Sequence, residues 1–387
     1  MKKRKLISSV LAILLVASIL MFAGCSNGEK ETSGDDSEVI KIGTFGPLTG
    51  PVAAYGSVMV NSAKLAIDEI NENGGIDGKQ IQLIDYDTKA DASEAVNIYN
   101  KLRDQDEVVA IIGGTISGET LAVKELAIAD GMPMLTPTAT HLDVTLDAPS
   151  IFRACYTDPY QGAAIAKYSI ENLDGKSAAI LYNTDDSYSV GLAETYKESF
   201  EEAGLEITNF EGYTANEVDY SAILSNVKDK NPDIIFLPDY YDTVGKIATA
   251  IRNMGLEQIV VGVDGWDSVE INYAEQVEGY YFVNHFAKTD KADIVQNFIS
   301  AYKTKYNTDP NALGALGYDA AYVLVEAIKA AGSTDSEAIV AALSKIEYSG
   351  VTGTIRFDDQ GDVTQKDIAI IKIVDGDHEL LEKIVVE

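Results

Sequence analysis

Hydroxyls and carboxylates recur in this chain where an apolar run gives way to a loop, a placement suited to holding charge. In GGTISGET, Ser117 opens a helical pattern, where unpaired backbone N–H groups and the positive end of the helix dipole favour an anion. A plain N-cap would use the same serine. In LTPTAT, Pro137 removes a ladder donor and leaves Thr138, Ala139 and Thr140 with free backbone groups and two hydroxyls. Such a turn can also satisfy itself. Asp264 ends the run VVGVD and could supply a negative counter-charge, although an aspartate in a surface turn reads the same way. Tyr55, Tyr188, Tyr240 and Trp266, the one tryptophan, follow other apolar runs and could cover an apolar group while a polar tip reaches further.

Nothing in this set points to catalysis. The chain contains no GxSxG elbow, GxxxxGK[ST] loop, HExxH pair or strand-linked GxGxxG. Its three histidines, His141, His285 and His378, are far apart and lack ligand-like spacing, so neither a metal nor another cofactor is expected. Cys155 has no partner for a disulfide other than Cys25 and reads as a buried thiol. With 61 acidic against 30 basic residues, a net charge of −31 makes nucleic acid an unsuitable partner.

The N-terminus runs MKKRKLISSVLAILLVASILMFAGC, four basic residues before an apolar stretch that ends in small residues. This reads as a secretory signal peptide over residues 1–24. The step Ala23-Gly24-Cys25 resembles a bacterial lipobox, with Phe22 where leucine is usual, and implies acylation of Cys25. Residues 25–38 are polar and carry Gly and Ser, so they read as a flexible tether.

The elements that must position these groups alternate. VIKIGTFGPLTG reads as a buried strand with a Gly/Pro turn, followed by a helix that stops at Asn73-Gly74-Gly75. Strand and helix then alternate to MPMLTPTAT, and the same rhythm restarts after IFRACYTD and runs to QIVVGVDG. Two βα series in a chain too long for one core predict an α/β fold of two doubly wound, Rossmann-like lobes. A strand at GYYFVNH precedes two long helical segments and further strands, so the chain is expected to return to the first lobe and cross again.

Five phrases in order, IGTFGPLTGPVAAYG, AIDEINENGGIDGKQIQLIDYDT, IIGG through LTPTAT, LGYDAAYVLVEAIKAAG and GVTGTIRFDDQGD, carry a resemblance to the type I periplasmic binding proteins of the leucine/isoleucine/valine class. The resemblance implies two lobes joined by a three-crossover hinge, with crossovers near Asp158, Val283 and Tyr348. The first lobe would comprise 39–157 plus 284–347 and the second 158–283 plus 348–387. It implies that Ser117 holds a ligand carboxylate and that Thr140 bonds both carboxylate and ammonium. The Thr138 carbonyl would accept from the ammonium, and Asp264 would pair with it. Ala139 lies within this turn, and Tyr188 and Tyr240 would close over the ligand from the second lobe. Tyr55, Thr115, Ile116 and Trp266 are expected to line the side-chain pocket. The function so implied is capture of a neutral, branched-chain-type amino acid by hinge closure, for delivery to an ABC transporter permease. The protein would be a monomer, lipid-anchored on the outer face of the cell membrane. A binding protein or sensor for an amide, urea-type or aromatic acid ligand is the alternative, with an enzyme a lesser one.

Overall fold

Short, fully buried strands can pack between helices only in a sheet covered on both faces, and the first half of the chain builds such a sheet. A computed structural model describes residues 39–364 and 366–385; the expected signal peptide, Cys25 and the tether up to residue 38 lie outside the described residues. Strand β1 (Ile40–Gly46) leads into α1 (Ala53–Glu72), then β2 (Ile81–Asp87), α2 (Ala92–Asp104), β3 (Ala110–Ile112), α3 (Ser117–Asp130), β4 (Met134–Thr136) and β5 (Ile151–Arg153). The five strands lie in the order β2-β1-β3-β4-β5, and every pairing is parallel.

The second series runs α4 (Asp158–Glu171), β6 (Ser177–Asn183), α5 (Ser187–Glu202), β7 (Glu206–Tyr213), α6 (Ser221–Lys230), β8 (Ile234–Phe236), α7 (Tyr241–Asn253), β9 (Ile259–Gly262), α8 (Glu270–Val277) and β10 (Tyr281–Asn284). Several of its helices start on side-chain caps, Thr157 for α4 and Asp186 for α5, and Pro159 sits in the first turn of α4 where no N–H is needed. The chain continues with α9 (Asp293–Tyr306), α10 (Ala312–Ala331), α11 (Ser336–Leu343), β11 (Glu347–Gly350), β12 (Gly353–Arg356), β13 (Ile368–Val374) and β14 (Asp377–Ile384). The second sheet has the order β14-β13-β10-β9-β8-β6-β7, parallel except where β13 joins β10 and β14 joins β13. The architecture is therefore the expected pair of α/β lobes.

The return of the chain is visible in the packing. Leu316, Ala320 and Leu324 of α10 share a core with Ile40 and Ile42 of β1 and with Ala63 and Ile67 of α1. Gly317 allows close approach of these helices, since a Cβ there would lie 2.6 Å from the Met59 carbonyl oxygen. Strands β11 and β12 form a separate two-stranded ribbon, not part of either large sheet. Its Ile355 and the following Phe357 pack into the first core, so the chain passes to the second sheet after Phe357, later than the crossover expected near Tyr348. The last strand, β14, forms a hairpin with β13 through Asp375 and Gly376, both at positive φ (53° and 72°). That geometry suits an Asp-Gly turn between twisted strands.

Candidate functional site

In an open parallel sheet, ligands bind beyond the carboxyl ends of the strands. Both sheets present those ends to one cleft. It is lined by Tyr55, Thr115, Ile116, Ser117, Thr138, Thr140 and Leu313 from the first lobe and by Tyr188, Tyr240, Asp264 and Gly265 from the second.

The first lobe supplies a polar cradle. Ser117 is the first residue of α3, and its N-cap, Ile116, brings no side-chain acceptor to the opening turn. Ser117 Oγ accepts from the His141 backbone N–H at 3.2 Å, which leaves its own proton for another acceptor. The Thr138 hydroxyl is committed, donating to the Thr115 carbonyl at 2.5 Å. Glu119 is buried one turn into α3 with the Thr88 hydroxyl on one oxygen. Burial pushes its carboxyl up to about 7, against that hydroxyl and the N–H groups of Ile116 and Thr115. The loop carrying Thr138 and Thr140 is gripped by Arg153, whose guanidinium donates to the Ala139, His141 and Leu142 carbonyls at 2.8–3.1 Å.

The second lobe supplies the negative charge. Asp264 begins a 3-10 turn (Asp264–Trp266) after β9, and its Oδ1 accepts from the Tyr188 hydroxyl at 2.7 Å. The same hydroxyl accepts from the Gly265 N–H at 2.9 Å. Burial raises the Tyr188 phenol far above its ordinary value, and the Asp264 charge adds to the effect, so the hydroxyl stays protonated and donates. The Tyr188 and Tyr240 rings stack at 5.0 Å with an interplanar angle of 5°, and Tyr55 meets Tyr240 edge-on at 5.8 Å. Behind Asp264 lie residues whose importance was not evident in the sequence. Gln161 accepts from the Asp264 N–H at 3.3 Å through Oε1 and donates to Asp158 Oδ1 at 3.0 Å through Nε2. Asp158 is wholly buried beside Thr140; burial pushes its carboxyl up to about 7, with the nearby Asp264 adding to the rise. His285 places Nε2 3.0 Å from Asp264 Oδ2.

Of the eleven expected binding residues, nine face the cleft and two do not. Ala139 is fully buried in the core beneath its loop, with its N–H on Thr136 Oγ1 at 3.1 Å and its carbonyl on Arg153. Trp266 is also fully buried, in the second core against Phe282 and Tyr280, and its indole N–H donates to the Leu237 carbonyl at 2.8 Å. Gly262 makes this possible: a Cβ there would sit 2.0 Å from the indole. Ile116 and Leu313 provide the cleft's apolar side with the Tyr55 ring. With Val52 and Tyr55, both carry over from the first lobe into a core cluster built mainly by the second. Hydroxyls and helix-terminal N–H groups on one wall and a carboxylate on the other can hold a molecule with opposite charges at two ends. Ser117 has a backbone N–H, not a base, beside its Oγ.

Comparison with known proteins agrees with this geometry. A family model described as periplasmic binding protein matches residues 39–377. The leucine-, isoleucine-, valine-, threonine-, and alanine-binding protein of Pseudomonas aeruginosa is 30% identical over 337 residues, covering 86% of this chain and 90% of that protein. Among solved structures, a leucine binding protein from Thermotoga maritima superposes with a TM-score of 0.84 at 32% identity, covering 89% of this chain and 98% of that one. The branched-chain amino acid transporter substrate binding protein of Streptococcus pneumoniae, in complex with isoleucine, gives a TM-score of 0.84 at 33% identity, covering 90% and 99%. This chain thus belongs to the type I periplasmic binding proteins, in the class of the Leu/Ile/Val-binding proteins.

Proposed function

We propose that this chain captures a neutral α-amino acid with a branched aliphatic side chain and hands it to the permease of an ABC importer. The observation that carries the reading is the distribution of charge about one cleft: Ser117 and Thr140 on the first lobe, Asp264 on the second. The amino acid's carboxylate meets the Ser117 hydroxyl and the opening turn of α3, where the helix dipole favours it. Its ammonium meets Asp264, which offsets the loss of water around a buried cation. Thr140 and the Thr138 carbonyl lie between the two ends. The side chain points toward Tyr55, Ile116 and Leu313, an apolar lining that suits isoleucine, leucine or valine.

The names of the relatives support this choice of ligand, and the signal-like N-terminus with Cys25 supports a lipid-anchored, extracytoplasmic location. Closure follows a hinge, with Tyr55 of the first lobe and Tyr188 and Tyr240 of the second covering the ligand. A thermal-shift screen of the mature domain against the twenty amino acids, common amides and benzoate tests the reading, because a ligand that binds only the folded state raises Tm. Stabilisation by isoleucine, leucine or valine supports it. Stabilisation by an amide or benzoate with none by amino acids would exclude it.

A further inference from the structure

The carboxylate of Asp264 faces a difficulty common to every buried ammonium site. It must be held rigidly by hydrogen bonds, yet a positively charged partner would cancel the charge that attracts the ligand. In this chain both donors to its oxygens are groups that can remain neutral. The Tyr188 hydroxyl donates to Oδ1 at 2.7 Å, and the His285 ring faces Oδ2 through Nε2 at 3.0 Å.

His285 follows β10 directly, and its side chain is 1% exposed. Its ring stacks on Tyr156 with centroids 3.5 Å apart and planes 23° from parallel, which fixes the direction of Nε2. A carboxylate only accepts, so Nε2 carries the proton. Nδ1 is then the unprotonated nitrogen, and it is buried with no hydrogen-bond partner among the described residues. A neutral ring tolerates this, because a bare lone pair costs less than an orphaned N–H. A charged ring would bury an unpaired Nδ1–H. The other ionisable groups around the pair are Tyr55, Tyr156, Tyr188, Lys366, Asp158 and Cys155. Lys366 acts on the ring at a distance and is itself held by the Ala154 carbonyl at 2.5 Å and Thr352 Oγ1 at 2.9 Å.

We propose that His285 is a positioning residue of the binding site: held neutral, it clamps Asp264 without cancelling its charge, and so makes the cleft selective for ligands that carry an ammonium group. This deepens the amino-acid reading and rests on it. Protonation of the ring converts the clamp into an ion pair and lowers affinity for an ammonium ligand. Burial holds the imidazole below its ordinary value despite Asp264, so this loss belongs on the acid side of neutrality.

The test is calorimetry with L-isoleucine and with 3-methylpentanoate, its analogue without the amino group, at several values between about pH 5 and pH 8. The proteins are the wild type, His285→Gln and His285→Lys. The wild type should bind isoleucine at neutral pH and lose at least about tenfold in affinity on acidification. His285→Gln, whose amide can donate but cannot titrate, should bind about threefold more weakly at neutral pH and show a flatter acid limb. His285→Lys supplies a fixed charge and should lose isoleucine binding at every pH while narrowing the preference over 3-methylpentanoate. If His285→Lys does not fold by circular dichroism, the His285→Gln profile decides. Superposable pH profiles for wild type and His285→Gln overturn the role of His285 and leave the amino-acid reading intact. Failure of the wild type to bind any amino acid overturns both.

Discussion

The hydroxyl of Tyr55, on α1 of the first lobe, accepts from the backbone N–H of Tyr241 in the second lobe at 3.1 Å and also bonds the Gly265 carbonyl. One phenol therefore bridges the lobes at the rim of the cleft. Burial raises it far above its ordinary value, partly offset by the Tyr241 N–H, so it remains a neutral hydroxyl able to do both.

Tyr55→Phe keeps the ring against Tyr240 and Tyr241 but removes both bonds. At about 0.5–1.5 kcal/mol each, their loss should weaken isoleucine binding about 5- to 150-fold. The change should appear mainly as faster ligand dissociation, measured by stopped-flow competition. A dissociation rate equal to that of the wild type would remove Tyr55 from the closure.

Asp264→Ala leaves the ammonium of a bound amino acid without its counter-charge. Breaking a buried pair in this way costs about 3–5 kcal/mol, so calorimetry should show isoleucine affinity reduced more than a hundredfold. The ligand-free protein should also melt a few degrees earlier, since the Tyr188 hydroxyl and His285 Nε2 lose their buried acceptor, but far less than a hundredfold loss of affinity would suggest by itself. Affinity within a factor of three of the wild type would place the ammonium elsewhere.

Much of this was legible in the sequence, for a reason that also marks where legibility stopped. Parallel strands are buried on both faces and read as apolar runs such as VVAIIGG and DIIFLP, and the residues just after them were found at the cleft. Ser117, Thr140, Tyr188 and Asp264 were accessible to that logic. Trp266 satisfies it equally and still turns into the core, where the missing side chain of Gly262 admits its indole. Leu313 escaped it, reaching the cleft only after the chain has returned to the first lobe; His285, directly after β10, satisfies it, but its contact with Asp264 depends on the β9–β10 pairing, which the run GYYFVNH does not reveal. The β13–β14 hairpin was signalled by Asp375-Gly376 but was hidden by the polar composition of DHELLEKI, an edge strand with several exposed charges.

Buried carboxylates set an unusual pH dependence of stability, with Asp186, Asp267 and Asp319 raised by burial in the same direction as the three largest cases. Burial pushes Glu119, Asp158 and Asp239 each up to about 7, above the ordinary carboxylate range of the unfolded chain. The folded state then holds more protons between those values, so stability is greatest below that window and falls as pH rises through it. His378, raised by Glu270 against its burial, acts in the same direction. His141 and His285, lowered by burial, oppose it, but only below their ordinary value. The ligand-free protein should therefore melt several degrees higher at about pH 6 than at about pH 8, and Asp239→Asn should flatten the slope. A melting temperature that climbs from pH 6 to pH 8 would show that these carboxyls are not protonated in the fold.

Arg153 connects the cradle to the segment where the chain leaves the first lobe for the last time. Its side chain is wholly buried, and Nε lies 2.5 Å from Asp362 Oδ1. The remaining donors hold the carbonyls of Ala139, His141 and Leu142 and the Thr145 hydroxyl, so the guanidinium fixes the loop that presents Thr138 and Thr140. A lysine has the charge but not the planar fork, and can satisfy only part of this set. Arg153→Lys should thus lower Tm and, at a temperature where the variant is fully folded, also weaken isoleucine binding through displacement of Thr140. Asp362→Asn retains an acceptor for Nε and should be milder in both respects. The comparison separates a fold-wide effect from a local one: if Arg153→Lys melts early yet binds isoleucine as tightly as the wild type, the loop is positioned by its own turn chemistry and Arg153 serves stability alone.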